Sequence, residues 1–202
     1  METATLRIEH AARTGADPMA VSGDEAIMLQ VRAGHTSLLA ELFERHHRQV
    51  YGFFYRMTSS REMSEDLVQD VFLRILRYRE TYQPKTSFTA WMFGIARNAM
   101  IDQMRKRRPE TVLDDSAPEI QSFEPGVDDR LRARQETEIL QRALASLPAD
   151  KREVLILSRY QDMKYEEIGR LLGCEPNAVK QRVFRAVKAL GDRFAEMSGR
   201  AL

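Results

Sequence analysis

The stretch YEEIGRLLGCEPNAVKQRVFRAVKAL, Tyr165 to Leu190, decides the fold. Ile168, Leu171 and Leu172 recur at helical spacing. Gly173 tolerates positive φ where a helix must stop, and Pro176 suits the first turn of a second helix. Two helices joined by a tight turn make a helix-turn-helix. In the second helix Val179, Val183, Ala186, Val187 and Leu190 form an apolar stripe, which leaves Asn177, Lys180, Gln181, Arg182 and Arg185 on or near the other surface. Those residue types bind phosphates and read base edges. The same pattern also fits an ordinary αα-corner with a solvated basic face, so the rest of the chain has to decide.

Immediately upstream, Leu131 to Leu147 reads as one helix, and Pro148 begins another that carries Val154, Leu155, Ile156, Leu157 and Tyr160. With the helix-turn-helix these make a compact four-helix unit. Before it, residues 109–130 hold Pro109, Pro118, Pro125 and Gly126 among many acids and show no helical period, so they read as a linker and a domain boundary. The acids follow directly on a basic run. From Lys85 to Arg108 the cations are Lys85, Arg97, Arg105, Lys106, Arg107 and Arg108, against the single acid Asp102. An anionic tether could lie in a nucleic-acid channel until the ligand displaces it, or could simply aid solubility.

The formal charge is only +1, from 31 cationic and 30 anionic residues, so any nucleic-acid signal lies in segregation and not in the total. At 202 residues there is room for two helical domains, each with its own core. Residues 1–22 show no sustained period and read as a loose arm. The single cysteine, Cys174, cannot form an intrachain disulfide, which fits a reducing compartment. No apolar run approaches the roughly 18 residues of a membrane span, and the start lacks a signal-peptide pattern, which predicts a cytoplasmic chain with no membrane insertion.

The first domain, residues 23–108, is built of amphipathic helices. Between Ser37 and Met57, the residues Leu38, Leu39, Leu42, Phe43, His46, Val50, Phe53, Phe54 and Met57 fall on one face. His46 and His47 have no further His or Cys at ligand spacing, so no metal is expected. From Glu62 to about Thr81 a second helix turns Leu67, Val68, Val71, Phe72, Ile75 and Leu76 inward, while Glu62, Glu65, Asp66, Gln69 and Asp70 form an acidic stripe with Leu73 left outside. Early acids and late bases suit the helix dipole. An exposed Leu73 among charges is either a lone surface leucine or part of a protein-docking surface.

Pro84 breaks that helix, and Ser87 is placed to cap a third one, FTAWMFGIARNAMIDQMRKRR, from Phe88. Phe88, Met92, Ile95, Ala99 and Met100 line a core, whereas Trp91 and Phe93 extend the apolar surface beyond one stripe. Preceded by Tyr82 and followed by RKRR, this composition fits a platform where unstacked bases meet aromatic faces and cations hold the backbone. A core tryptophan beside a solvated basic helix end is the alternative. No Gly-rich phosphate loop, metal-spaced cluster or nucleophile–base pair is present, so neither an enzyme, a cofactor nor a small-molecule substrate is expected.

In this order, LFERHHRQVY, SEDLVQDVFLRIL, FTAWMFGIARNAMIDQMRKRR, LPADKREVLILSRYQDMKYEEIGRLLG and NAVKQRVFRAVKAL resemble the extracytoplasmic-function group of the sigma-70 family of bacterial RNA polymerase sigma factors. The resemblance covers nearly everything after about Asp24. It implies an all-α fold with two helical domains, sigma region 2 over 23–108 and sigma region 4 over 131–196, joined by the acidic linker. It also implies core RNA polymerase and promoter DNA as partners, with an anti-sigma factor, and no catalytic activity in the chain itself.

By that likeness Asp66, Gln69, Asp70 and Leu73 dock on the clamp helices of the polymerase. Tyr82, Lys85, Ser87, Phe88, Trp91, Arg97 and Asn98 recognise and melt the minus-10 element, and Arg105, Lys106, Arg107 and Arg108 hold its phosphates. The helix from Pro176 enters the major groove of the minus-35 element, led by Lys180, Arg182 and Arg185 with Glu175, Asn177, Ala178 and Gln181 beside them. Two positions depart from the family's pattern. Lys164 stands where a small hydroxyl residue is common and cannot accept an N-cap bond, which leaves Asp162 or a frayed helix end. Asn177-Ala178 replaces a common Gly-Thr, and Ala178 offers only a methyl contact, so familiar promoter sequences do not transfer. Two other classes share these features: a transcriptional regulator that binds duplex DNA unaided, and a helical adaptor that binds only proteins.

Overall fold

The computed structural model describes residues 23–107 and 127–199. Among them are eight α-helices and two 3-10 turns, with no strand. The first unit comprises α1 (Gly23–Arg32), α2 (Leu39–Thr58), α3 (Arg61–Tyr78) and α4 (Phe88–Arg107); the second comprises α5 (Val127–Ala145), α6 (Ala149–Arg159), α7 (Tyr165–Leu172) and α8 (Pro176–Ser198). In the first, α3 packs between α2 and α4. In the second, α8 is the hub on which α5, α6 and α7 all rest.

The amphipathic stripes account for the packing. Leu42, Val50, Phe53, Phe54 and Met57 of α2 are buried against Leu67, Val71, Phe72 and Ile75 of α3 and Met92, Ala96 and Ala99 of α4. Turn residues set the helix ends. Ser59 takes a left-handed conformation with φ 56° to end α2, and Ser60 then caps α3 by accepting from the Met63 N–H at 3.3 Å.

Several expectations are corrected. Residues 23–32, for which no helix was expected, form α1, with Met28 and Val31 fully buried. Phe93 is core, packing edge-on against Phe53, and does not extend an outer apolar surface. Val187 is exposed, because Val179, Val183 and Ala186 already fill the seam of α8 and Val187 falls one position beside it. Helix α5 begins at Val127, a turn before Leu131, so Asp128 and Asp129, read as linker acids, fall within the helix. Residues 1–22 and 108–126, including Arg108 and most of the linker, lie outside the described residues.

At α7 neither alternative for the N-terminus holds. Asp162 is a left-handed turn residue with φ 47°, and the helix does not fray. Lys164 occupies the cap position and its side chain has no acceptor; instead Glu167 reaches back, its Oε2 accepting from the Lys164 N–H at 3.1 Å. This is half of a capping box.

Candidate functional site

Three surfaces carry the candidate residues. On the first, α3 turns Asp66 and Gln69 to solvent and leaves Leu73 67% exposed. Asp70 is held by Arg74, whose Nε lies 2.9 Å from Asp70 Oδ2 while its Nη1 donates to Asp102 Oδ2 at 2.7 Å. Arg74 holds the Asp102 carboxyl below its ordinary range by that hydrogen bond. The pair locks α3 to α4 and fixes the face that Leu73 crowns.

The second surface is the loop before α4 and the helix itself. Tyr82 and Phe88 are wholly buried, and Tyr82 donates its hydroxyl to the Thr86 carbonyl at 3.1 Å, closing the loop on itself. Burial pushes the Tyr82 phenol well above its ordinary value, so it stays a neutral donor. Trp91 is half-buried and meets the Tyr82 ring edge-on, with centroids 5.2 Å apart. The aromatic group is thus mostly core, and of its members Trp91 is the one that reaches the surface. Lys85, Asn98, Arg105 and Lys106 are exposed; Arg107 lies at the end of α4, and nothing is described of its side chain.

Sequence reasoning missed what holds this loop. Glu25 of α1, itself buried, accepts from the Phe88 N–H at 2.8 Å, satisfying a donor that no α4 residue can reach. Ser87 accepts from the Ala90 N–H at 3.3 Å, so the first turn of α4 is capped from two sides. Arg32 Nη1 donates to the Tyr82 carbonyl at 3.0 Å, and Asp24 receives both Arg45 and His46, at 2.7 Å and 2.8 Å. A short helix bearing Asp24, Glu25 and Arg32 reads in sequence as a charged surface; in fact Glu25 and Arg32 point at the loop and Asp24 at α2.

The third surface is the helix-turn-helix. Gly173 ends α7 with φ 66°, and Pro176 opens α8. Gly169 is required by close approach: a Cβ there would lie 2.6 Å from the Cys174 carbonyl oxygen. Glu175, Asn177, Lys180, Gln181, Arg182 and Arg185 are exposed along the first turns of α8, and Ala178 is half-buried. An exposed, cation-rich helix of this diameter fits a major groove about 12 Å wide.

The structure also brings residues of the first and second units together. Arg97 Nε donates to Glu153 Oε1 of α6 at 2.9 Å, and the Ser87 hydroxyl donates to Glu167 Oε1 of α7. Burial raises the Glu153 carboxyl from its ordinary value, an effect that Arg97 opposes. Arg152 of α6 donates to the Met57 carbonyl of α2 at 2.8 Å, and its burial lowers the guanidinium from its usual range. Among the described residues no group of His, Cys, Asp and Glu gathers as a metal site, and no helix is long and apolar enough to cross a membrane.

Comparison with known proteins matches these units to two family models, Sigma-70 region 2 over residues 42–110 and Sigma-70, region 4 over residues 137–190. The chain is 34% identical over 173 residues to the RNA polymerase sigma factor CarQ of Myxococcus xanthus, covering 84% of this chain and 97% of that protein. It is 32% identical over 161 residues to the ECF RNA polymerase sigma factor SigE of Mycolicibacterium smegmatis, covering 78% of this chain and 62% of that protein. Among solved structures, the sigma factor RpoE in complex with the anti-sigma factor NepR from Bartonella quintana is similar, with a TM-score of 0.64, 26% identity, and coverage of 79% of this chain and 96% of that one.

Proposed function

The chain belongs to the extracytoplasmic-function group of the sigma-70 family of RNA polymerase sigma factors, and on that premise we propose how its surfaces divide the work. The chain binds core RNA polymerase, recognises the minus-10 and minus-35 promoter elements and promotes DNA melting at the minus-10 element for transcription initiation. It acts in the cytoplasm in response to a stress or signal, has no catalytic activity of its own, and is held in check by an anti-sigma factor. The observation that carries this reading is the occurrence of both family regions, in order, on two helical units. We divide the chain accordingly into region 2 at 23–108, a linker at 109–130 and region 4 at 131–196.

The α3 face of Asp66, Gln69, Asp70 and Leu73 docks on polymerase; the support is an apolar side chain exposed at the centre of an otherwise polar helix surface. The loop from Tyr82 and the helix α4 engage the melted minus-10 strand. Unstacking a base costs a few kcal/mol, and stacking on an aromatic face returns about 1–3 kcal/mol. Trp91 fits that role by its partial exposure, whereas buried Tyr82 and Phe88 shape the loop from beneath. Lys85, Ser87, Arg97, Asn98 and the cations from Arg105 to Arg108 supply polar and phosphate contacts. On α8, Lys180, Arg182 and Arg185 lead the minus-35 contacts, with Glu175, Asn177, Ala178 and Gln181 alongside.

Run-off transcription with purified core polymerase tests the reading. Start-site-specific transcripts that require the chain support it; promoter binding without polymerase points to a regulator, and absence of any DNA binding points to an adaptor.

A further inference from the structure

His46 of α2 is a buried titratable side chain that none of the proposed promoter or polymerase contacts uses. It is 8% exposed, and each of its two ring nitrogens faces an oxygen: Nε2 lies 2.8 Å from Asp24 Oδ2, and Nδ1 lies 3.2 Å from Gln49 Oε1. A neutral imidazole carries one N–H and donates to one of these oxygens, whereas the imidazolium donates to both. The ring also rests against Phe88, with centroids 5.2 Å apart. Asp24 ties His46 to α1, and the next residue of α1, Glu25, accepts from the Phe88 N–H at 2.8 Å. His46 therefore reaches the first residue of α4 twice, ring to ring and by way of α1.

The charges around His46 make its proton count. Helix α1 brings Asp24 and Glu25, and α2 itself adds Glu41; Arg45 serves both Asp24, at 2.7 Å, and Glu41. The loop contributes Tyr82, whose phenol is pushed above its ordinary value by burial and then by Glu25 and Asp24, so it stays neutral. Helix α4 presents the apolar Phe88 ring, and α3 turns buried Val71, Phe72 and Ile75 to the core it shares with α2. A proton lost from His46 makes this corner more negative by one charge, and Asp24 is left to Arg45, itself shared and partly in solvent.

We propose that His46 is a positioning residue for the minus-10 surface and that its protonation grades promoter opening. Charged, it holds α1 on α2, which keeps Glu25 on the Phe88 N–H and fixes the first turn of α4, from which Trp91 projects. Neutral, it keeps one of its two bonds in a weaker form, α1 loosens, and that turn loses definition. Histidine side chains exchange their proton between about pH 5 and 8. Opening is therefore strongest at the acid end of that range and declines as pH rises. The inference rests on the minus-10 assignment proposed above.

The test uses the holoenzyme, assembled from the full chain and core polymerase, on a promoter that it opens. The rate of permanganate-detected opening is measured between about pH 6 and 8 for the parent and for His46→Gln, and their ratio cancels the pH dependence of polymerase itself. A hydrogen bond to a charged partner is roughly twice as strong as a neutral one, so the ratio is expected to fall about fivefold across the range, with core binding alike in the two chains. Asp24→Asn removes the carboxylate that senses the charge, and the ratio of parent to this variant should fall in the same way. In the free parent chain, hydrogen exchange at the Phe88 amide relative to the Met92 amide, one turn further along α4, needs no variant and should rise several-fold over the same range.

Circular dichroism melting checks that the variants fold; if His46→Gln does not, Asp24→Asn and the amide ratio decide. Opening ratios that stay flat in the folded variants overturn the proposal, and so does a Phe88 to Met92 exchange ratio that does not move with pH. Failure of the parent chain to open any promoter refutes the sigma reading instead, and the amide ratio still judges the role of His46.

Discussion

Replacing Leu73 by Ala separates docking from folding, because the side chain is 67% exposed and so contributes little to the core. The substitution removes roughly three carbons, each worth about 0.8 kcal/mol when buried. If polymerase covers the exposed two-thirds, the loss on binding is about 1.6 kcal/mol, or roughly a 15-fold weaker complex. The third already covered by the fold accounts for about 0.8 kcal/mol of stability, part of which is returned by the better helix propensity of alanine. The expected outcome is a melting temperature within a few degrees of the parent and a clearly weakened affinity for core enzyme, measured by fluorescence anisotropy of the labelled chain. An undiminished affinity would show that α3 docks elsewhere, and a large fall in melting temperature would show that Leu73 is a core residue.

Other substitutions probe the remaining surfaces. Glu25→Ala leaves the Phe88 N–H without its acceptor at a cost of about 1–3 kcal/mol in a urea titration. The same variant should impair permanganate-detected promoter opening more than polymerase binding, and Glu25→Gln should restore much of both; equal behaviour of Ala and Gln would remove Glu25 from the support of the loop. Gly169→Ala forces a Cβ to 2.6 Å from the Cys174 carbonyl, so the turn must shift at a cost of about 1–3 kcal/mol, and footprinting over the minus-35 element should fade while core binding persists. Arg182→Ala should cost about 1–3 kcal/mol of promoter affinity with relaxed selectivity at one position, if it reads a guanine; an unchanged preference among promoter variants would reject that role. Finally, the raised Glu153 carboxyl means that the folded chain holds this proton more tightly than the unfolded chain does. Its contribution to stability is full below the ordinary glutamate value and is lost as pH rises through the raised one. The stability of the parent relative to Glu153→Gln should therefore fall across that window, and a flat or rising difference would contradict the dominance of burial at Glu153.

The helix-turn-helix was legible because its punctuation is chemical: Gly173 permits the left-handed turn, Pro176 starts α8, and Val179, Val183 and Ala186 mark the seam. Leu73 was legible for the opposite reason, as an apolar residue where the helical period leaves no core to receive it. Helix α1 was not, since its inward face holds Met28 and Val31 together with a buried glutamate, and a glutamate reads as solvent-facing until its partner N–H is known. Trp91, Tyr82 and Phe88 look alike in composition, yet the structure buries two of them: Tyr82 is bonded by Arg32 and Thr86 and Phe88 by Glu25, partners that local spacing does not encode. Arg97 and Glu153 each look like ordinary surface charges, and only the packing of α4 beside the second unit pairs them.

The most direct measurement of the central claim is multi-template run-off transcription on genomic fragments from the chain's own cell, using core polymerase purified free of other sigma factors and with no inhibitor present. Discrete transcripts that appear only when this chain is added, and that are lost when either the minus-10 or the minus-35 element is altered, are the predicted result. Core enzyme that gives the same products with and without the chain would contradict it.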